Sequence, residues 1–178
     1  MRARRRRARP GRPRGDRSRG VTGLDAADLT ALRALSETYA AAADDRDSAA
    51  IGALFVPDGV LVVPEPPAHL GPHVPHVGRA AVVAALGALA GTLATTHVVA
   101  GARYLPTSTG ARGRVRGTAH HLVPGRDGPS DVVWFLHYDD EYARTGEGWA
   151  FTRRAVTVNW IERHRVSVTR ADEEGTGR

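Results

Sequence analysis

Leu24, Leu29, Leu32, Leu35, Tyr39 and Ala42 recur at helical spacing, which predicts an amphipathic helix over 25–43. Thr22-Gly-Leu-Asp25 ahead of it has the form of a capping box. The polar run Asp44-Asp45-Arg46-Asp47 breaks the pattern. A short second helix is expected over 48–55, leading through Pro57-Asp58-Gly59 into a strand at 60–63. Residues 64–76 are rich in Pro and His and read as a loop. The Ala-rich stretch 78–93, with Val82, Val83, Leu86 and Leu89, reads as a third helix. From His97 onward the pattern predicts strands over 96–105, 112–123, 131–144 and 148–165, with turns at 107–110, 124–129 and 145–148.

Three helices followed by a meander of long strands predict an α+β fold. A strongly curved antiparallel sheet must wrap the helices to bury its inner face, leaving a conical cavity open at one end. The expected domain spans 21–167, without internal repeats.

Composition changes this picture at the ends. Positions 1–20 hold ten Arg and one Asp, with no large apolar residue beyond the initiator Met, so they are expected to be a disordered tail. Without them the balance is 15 Arg against 18 acidic residues, and the formal net charge of +6 belongs to the tail. A nucleic-acid function would need a basic face on the domain itself. The absence of Lys and the abundance of Ala, Gly and Arg suggest translated upstream sequence from a GC-rich genome, with Val21 as the true start. A polar tail is expected over 168–178. Zero Cys excludes disulfides and thiolate chemistry, and no apolar run approaches a membrane span. A soluble, cytoplasmic protein is the expectation.

The candidate chemistry lies in Asp44, His97 and His121. A helix C-terminus repels negative charge, so Asp44 there calls for a cationic partner; capping, or pairing with Arg46, is the plain alternative. With Arg114 and Arg116 facing solvent, strand alternation turns Val115, Gly117, Ala119 and His121 inward and His120 outward. A buried imidazole needs a partner, and Asp44 is the expected one. His97 opens the strand before, where it is either structural or the second proton carrier. Tyr39 on the helix stripe is a core or pocket residue. Trp134 and Tyr138 share a strand face and line either the cavity or a dimer contact. His69, His73 and His76 tempt a metal reading, but a Pro/Gly loop with only Glu65 nearby lacks a pre-organised frame. That loop is expected to be a mobile lid, and neither a metal nor an organic cofactor is expected.

Several short stretches together resemble the SnoaL-like branch of the nuclear transport factor 2-like superfamily. They are 39–47, Leu54-Phe55-Val-Pro-Asp58-Gly59-Val60, Gly78-Arg79-Ala80, Thr96-His97-Val98-Val99-Ala100-Gly101, His120-His121-Leu122 and Gly148-Trp149-Ala150-Phe151. They run in that family's order across about 24–162. The resemblance implies helices held in a cystatin-like curved sheet, and a homodimer through the outer sheet face.

Within the superfamily the chemistry looks most like that of scytalone dehydratase, with ketosteroid isomerase in the same branch. Asp44, His121 and His97 fall where the dehydratase has its helix-end Asp and two His. Its two water-holding tyrosines would align near Ala43 and Pro64 and its pocket asparagine near Ala155, so the carbonyl-activating half is absent or rebuilt, with Tyr39 or Tyr138 in its place. The implied activity is a cofactor-independent dehydratase, isomerase or cyclase acting on a hydrophobic oxygenated ring such as a polyketide intermediate. His121, polarised by Asp44, would be the base and His97 the acid or enolate stabiliser. The alternatives are a non-catalytic binding or oligomerisation module of the same fold, and an epoxide hydrolase built on Asp44, Arg103 and Asp140.

Overall fold

A computed structural model describes residues 23–169. The expectations for residues 1–20, for Thr22 and for nearly all of 168–178 therefore lie outside the described residues. Helix α1 spans Ala26–Asp44. Its capping box sits three residues later than the Thr22 reading. Asp28 N–H donates to Asp25 Oδ1 at 2.8 Å and Asp25 N–H to Asp28 Oδ2 at 3.3 Å. Asp28 also accepts from Trp149 Nε1 at 3.1 Å and from Arg144, which ties the helix start to the turn after residue 144.

Helix α2 (Ser48–Ala53) is shorter than predicted, because Phe55 already opens strand β1 (Phe55–Glu65). The 64–76 stretch departs most from expectation. It contains strand β2 (His69–Val77), paired antiparallel with β1 from Val60↔Val77 to Glu65↔His69. Pro72 and Pro75 argued for a loop, but β2 is an edge strand, where an unpaired N–H is not needed. Helix α3 covers Arg79–Ala85 and passes into a 3-10 segment, Leu86–Gly91, where Gly87 and Gly91 weaken the α-helix. Strands β3 (Ala94–Pro106), β4 (Ala111–Val123), β5 (Ser130–Thr145) and β6 (Gly148–Arg165) follow the prediction closely.

The six strands lie in the order β2-β1-β6-β5-β4-β3. The sheet is mixed rather than wholly antiparallel, because β1 runs parallel to β6. It does not close on itself, yet α1 packs against both β3 and β6, which places the helix in the hollow of a curved sheet. A Cβ at Gly117 would come 2.4 Å from the Val98 carbonyl oxygen, so only glycine admits the close β3–β4 approach beside the bulge at Ala100. Leu32, Ile51, Phe55, Leu61, Val82, Val115 and Phe151 form the fully buried centre, each contributing about 1.5–3 kcal/mol by burial. Among the described residues no helix is long and apolar enough to cross a membrane.

Candidate active site

Above that centre a cavity of about 170 Å³ opens between α1, the 3-10 segment and the inner sheet face. Tyr39, His97, His121, Trp134 and Tyr138 line it, which puts Trp134 and Tyr138 on the cavity side of the sheet; Ala43, Pro64, Leu86 and Val156 complete much of the wall. Asp44 stands behind His97 at the last position of α1.

The pairing differs from the prediction. Asp44 meets His97, not His121. Its Oδ1 lies 2.6 Å from His97 Nδ1 and accepts the Thr95 hydroxyl at 3.0 Å, and its Oδ2 accepts the His97 backbone N–H at 2.8 Å. The reason is topological: the end of α1 abuts β3, while β4 lies one strand further in. Three donors on one carboxylate account for an anion at a helix C-terminus. Arg46, the alternative partner, donates instead to the Thr92 carbonyl at 2.6 Å. A carboxylate accepts only, so His97 Nδ1 carries the hydrogen, and in the neutral imidazole Nε2 is then the acceptor.

His121 is buried, with its ring 5.8 Å from that of His97 in an edge-to-face arrangement and 4.8 Å from Trp134. Its Nδ1 is 3.2 Å from the Val132 carbonyl, an acceptor, which fixes Nδ1–H and again leaves Nε2 as acceptor. Burial holds the His121 pKa below the ordinary histidine value, and the nearby His97 adds to this; the hydrogen bond to Val132 only partly opposes it. His121 is thus a neutral imidazole rather than the imidazolium expected from an Asp44 pair. His120 points outward, with its Nδ1 2.8 Å from Asp131 Oδ2.

Tyr39 and Tyr138 meet edge to face at 6.0 Å. Burial pushes both phenol pKa values up, so both stay protonated donors. Beneath them lies a feature the sequence reading missed. Arg154, fully buried, grips Asp140 through Nε–Oδ1 and Nη2–Oδ2 contacts of 2.9 Å each and donates from Nη2 to Ser36 at 2.9 Å. Tyr142 donates to Asp140 Oδ2 at 2.8 Å. The guanidinium lies 4.4 Å from the Tyr39 ring centre, 4.1 Å from Tyr138 and 4.3 Å from Phe151, a cation held by aromatic faces. Strand parity hid this residue. Glu141↔Arg153 and Tyr142↔Phe151 leave Thr152 as an extra residue, so Phe151 and Arg154 both face inward. The Asp44, Arg103 and Asp140 set of the epoxide-hydrolase alternative is not assembled, since Arg103 is exposed and Asp140 is committed to Arg154.

The sequence model of the SnoaL-like domain matches residues 25–155. The chain belongs to the SnoaL-like family. A search of curated proteins returns no match. Among solved structures, the Kfla4162 protein of Kribbella flavida superposes with a TM-score of 0.68 at 22% identity, covering 76% of this chain and 93% of that one. A putative scytalone dehydratase from Novosphingobium aromaticivorans gives 0.65 at 20%, covering 80% and 91%. The hexachlorocyclohexane dehydrochlorinase LinA-type3 of Novosphingobium barchaimii gives 0.65 at 14%, covering 80% and 96%. At these identities the likeness is one of fold.

Proposed function

Starting from membership of the SnoaL-like family, we propose that this chain is a cofactor-independent acid/base lyase that eliminates water from a small, hydrophobic cyclic β-hydroxy ketone. The observation that carries the reading is the Asp44–His97 pair opening onto an apolar cavity. The neighbouring folds include a putative scytalone dehydratase and a dehydrochlorinase, both named for eliminations.

In this reading His97 Nε2 removes the acidic α-proton. The imidazolium that forms is held by the Asp44 carboxylate, which offsets its charge without moving. The electron pair of the broken C–H bond forms the C=C bond as the C–O bond breaks. His97 returns its proton to the departing hydroxyl, and water leaves. Tyr39 and Tyr138, protonated and without a hydroxyl partner among the described residues, donate to the ketone oxygen as enolate charge develops. His121 Nε2 accepts a hydrogen bond from the substrate hydroxyl and orients it. His97 thus takes over the base role that the sequence reading gave to His121 and keeps the acid role, because the carboxylate backs His97. An engineered cavity of about 150 Å³ holds benzene, so a single six-membered ring suits this space.

The test is turnover of a panel of cyclic β-hydroxy ketones by the wild type and by His97→Gln. A general base contributes roughly 10²–10⁴-fold, and turnover surviving His97→Gln at the wild-type rate ends the assignment. Ligand binding with no turnover across the panel favours the binding-module alternative. As a partner we propose a second copy on the outer sheet face, where Phe135 stacks on the half-exposed Trp160 at 4.3 Å and Val98 is also open. Light scattering of Trp160→Glu, against the wild type, tests that interface; equal masses would refute it.

A further inference from the structure

The cluster of metal-type donors in the described chain lies away from the active-site histidines, at the far end of the β1–β2 hairpin. Glu65, His69 and His73 each offer one ligand atom, and these atoms all lie within 4.8 Å of one another. His73 Nε2 is 3.5 Å from Glu65 Oε2, and the His69 and His73 rings stack at 3.7 Å with 15° between their planes. We propose that this hairpin end is a binding site for a divalent transition cation of the zinc class.

A Pro/Gly loop by itself offers a metal no frame. The structure supplies one. Glu65 and His69 are register partners across an antiparallel pair, so their backbones are fixed opposite each other. Between Val63↔Val74 and Glu65↔His69 the β2 strand carries extra residues, and this bulge brings His73 back over His69 although four positions separate them. Two imidazoles and a carboxylate are the donor set that zinc shares with other borderline cations.

Zinc–nitrogen and zinc–oxygen bonds of about 2.0–2.1 Å put tetrahedral ligand atoms about 3.3 Å apart. The Glu65–His73 contact already has nearly that spacing. All three side chains are exposed, so rotation alone brings the remaining pairs into range without moving the core. A fourth position is left for water. Because Pro64, next to Glu65, lines the cavity, a bound cation would clamp the hairpin at the edge of the pocket mouth. The site is independent of the acid/base reading and is tested without any activity.

The experiment uses the full chain, stripped with a chelator and desalted, with zinc ions titrated against a chromophoric competitor. The proposal expects one zinc per chain, a rise in the thermal midpoint with zinc concentration, and joint movement of the His69 and His73 imidazole NMR signals. Each of His69→Ala, His73→Ala and Glu65→Gln should weaken binding about tenfold or more, with the zinc-free thermal midpoint unchanged. His164→Ala, at a distant exposed histidine, should leave the affinity as it was. Binding weaker than millimolar in the wild type overturns the proposal, and so does binding undiminished in a His69→Ala/His73→Ala double variant.

Discussion

Two carboxylates on opposite sides of the same aromatic layer do different work with the same pairing physics. Asp44 holds an imidazole at the cavity wall, where its side chain and that of His97 keep 25% and 12% of their exposure. Asp140 holds a guanidinium below the cavity, where both side chains are at 0%. Histidine changes charge near neutral pH and arginine does not. On the proposed reading the first pair takes and returns a proton. The second can only fix geometry, positioning the Tyr39 and Tyr138 rings that lie against it. Access and side-chain chemistry separate the pair proposed as reactive from the structural one.

The sharpest way to break that contrast is Arg154→Met. It leaves the Asp140 charge buried and unpaired, and should cost about 3–5 kcal/mol in denaturant unfolding. The double variant Arg154→Met/Asp140→Leu should recover much of that loss. A double variant as unstable as the sum of its singles would mean the pair is not a unit.

Asp44→Asn should do the reverse, leaving the unfolding midpoint close to wild type while reducing turnover by about a hundredfold. A large loss of stability with normal turnover per folded molecule would move Asp44 into the structural class.

A smaller effect separates the two histidines. The His121 pKa lies below its unfolded value, so on acidification the unfolded chain binds that proton first. Stability should fall as pH drops from the ordinary histidine value, about 6.5, towards the lower folded one, and His121→Gln should flatten that slope. The His121 ring signals should titrate below the ordinary value by NMR, and a midpoint above it would restore the Asp44–His121 pair. The smallest effect is expected at the exposed pair Arg33–Glu37, 2.7 Å apart. Arg33→Ala should not shift the unfolding midpoint measurably, since solvent screens such pairs.

Much of the fold was legible because the long strands alternate cleanly and Gly/Pro turns separate them. Parity alone turned His121, Ala119 and Val115 inward. What stayed hidden depends on information that is not periodic. Edge position rescued β2 despite its prolines. The docking of one helix end on β3 chose which histidine Asp44 meets. A single extra residue in β6 concealed Arg154, and simple alternation from Phe151 would have turned Arg153 inward instead.

That extra residue makes the pocket floor a matter of counting. Thr152 acts as a spacer that resets which side chains the last strand shows to the interior. Drawing Thr152 into the ladder as an ordinary paired residue, with no residue type altered, would put Phe151 and Arg154 on opposite faces and take either the aromatic ring or the guanidinium from beneath Tyr39. Shifts of register at this bulge, more than substitutions, are thus the changes by which a chain of this architecture would exchange one cavity floor for another.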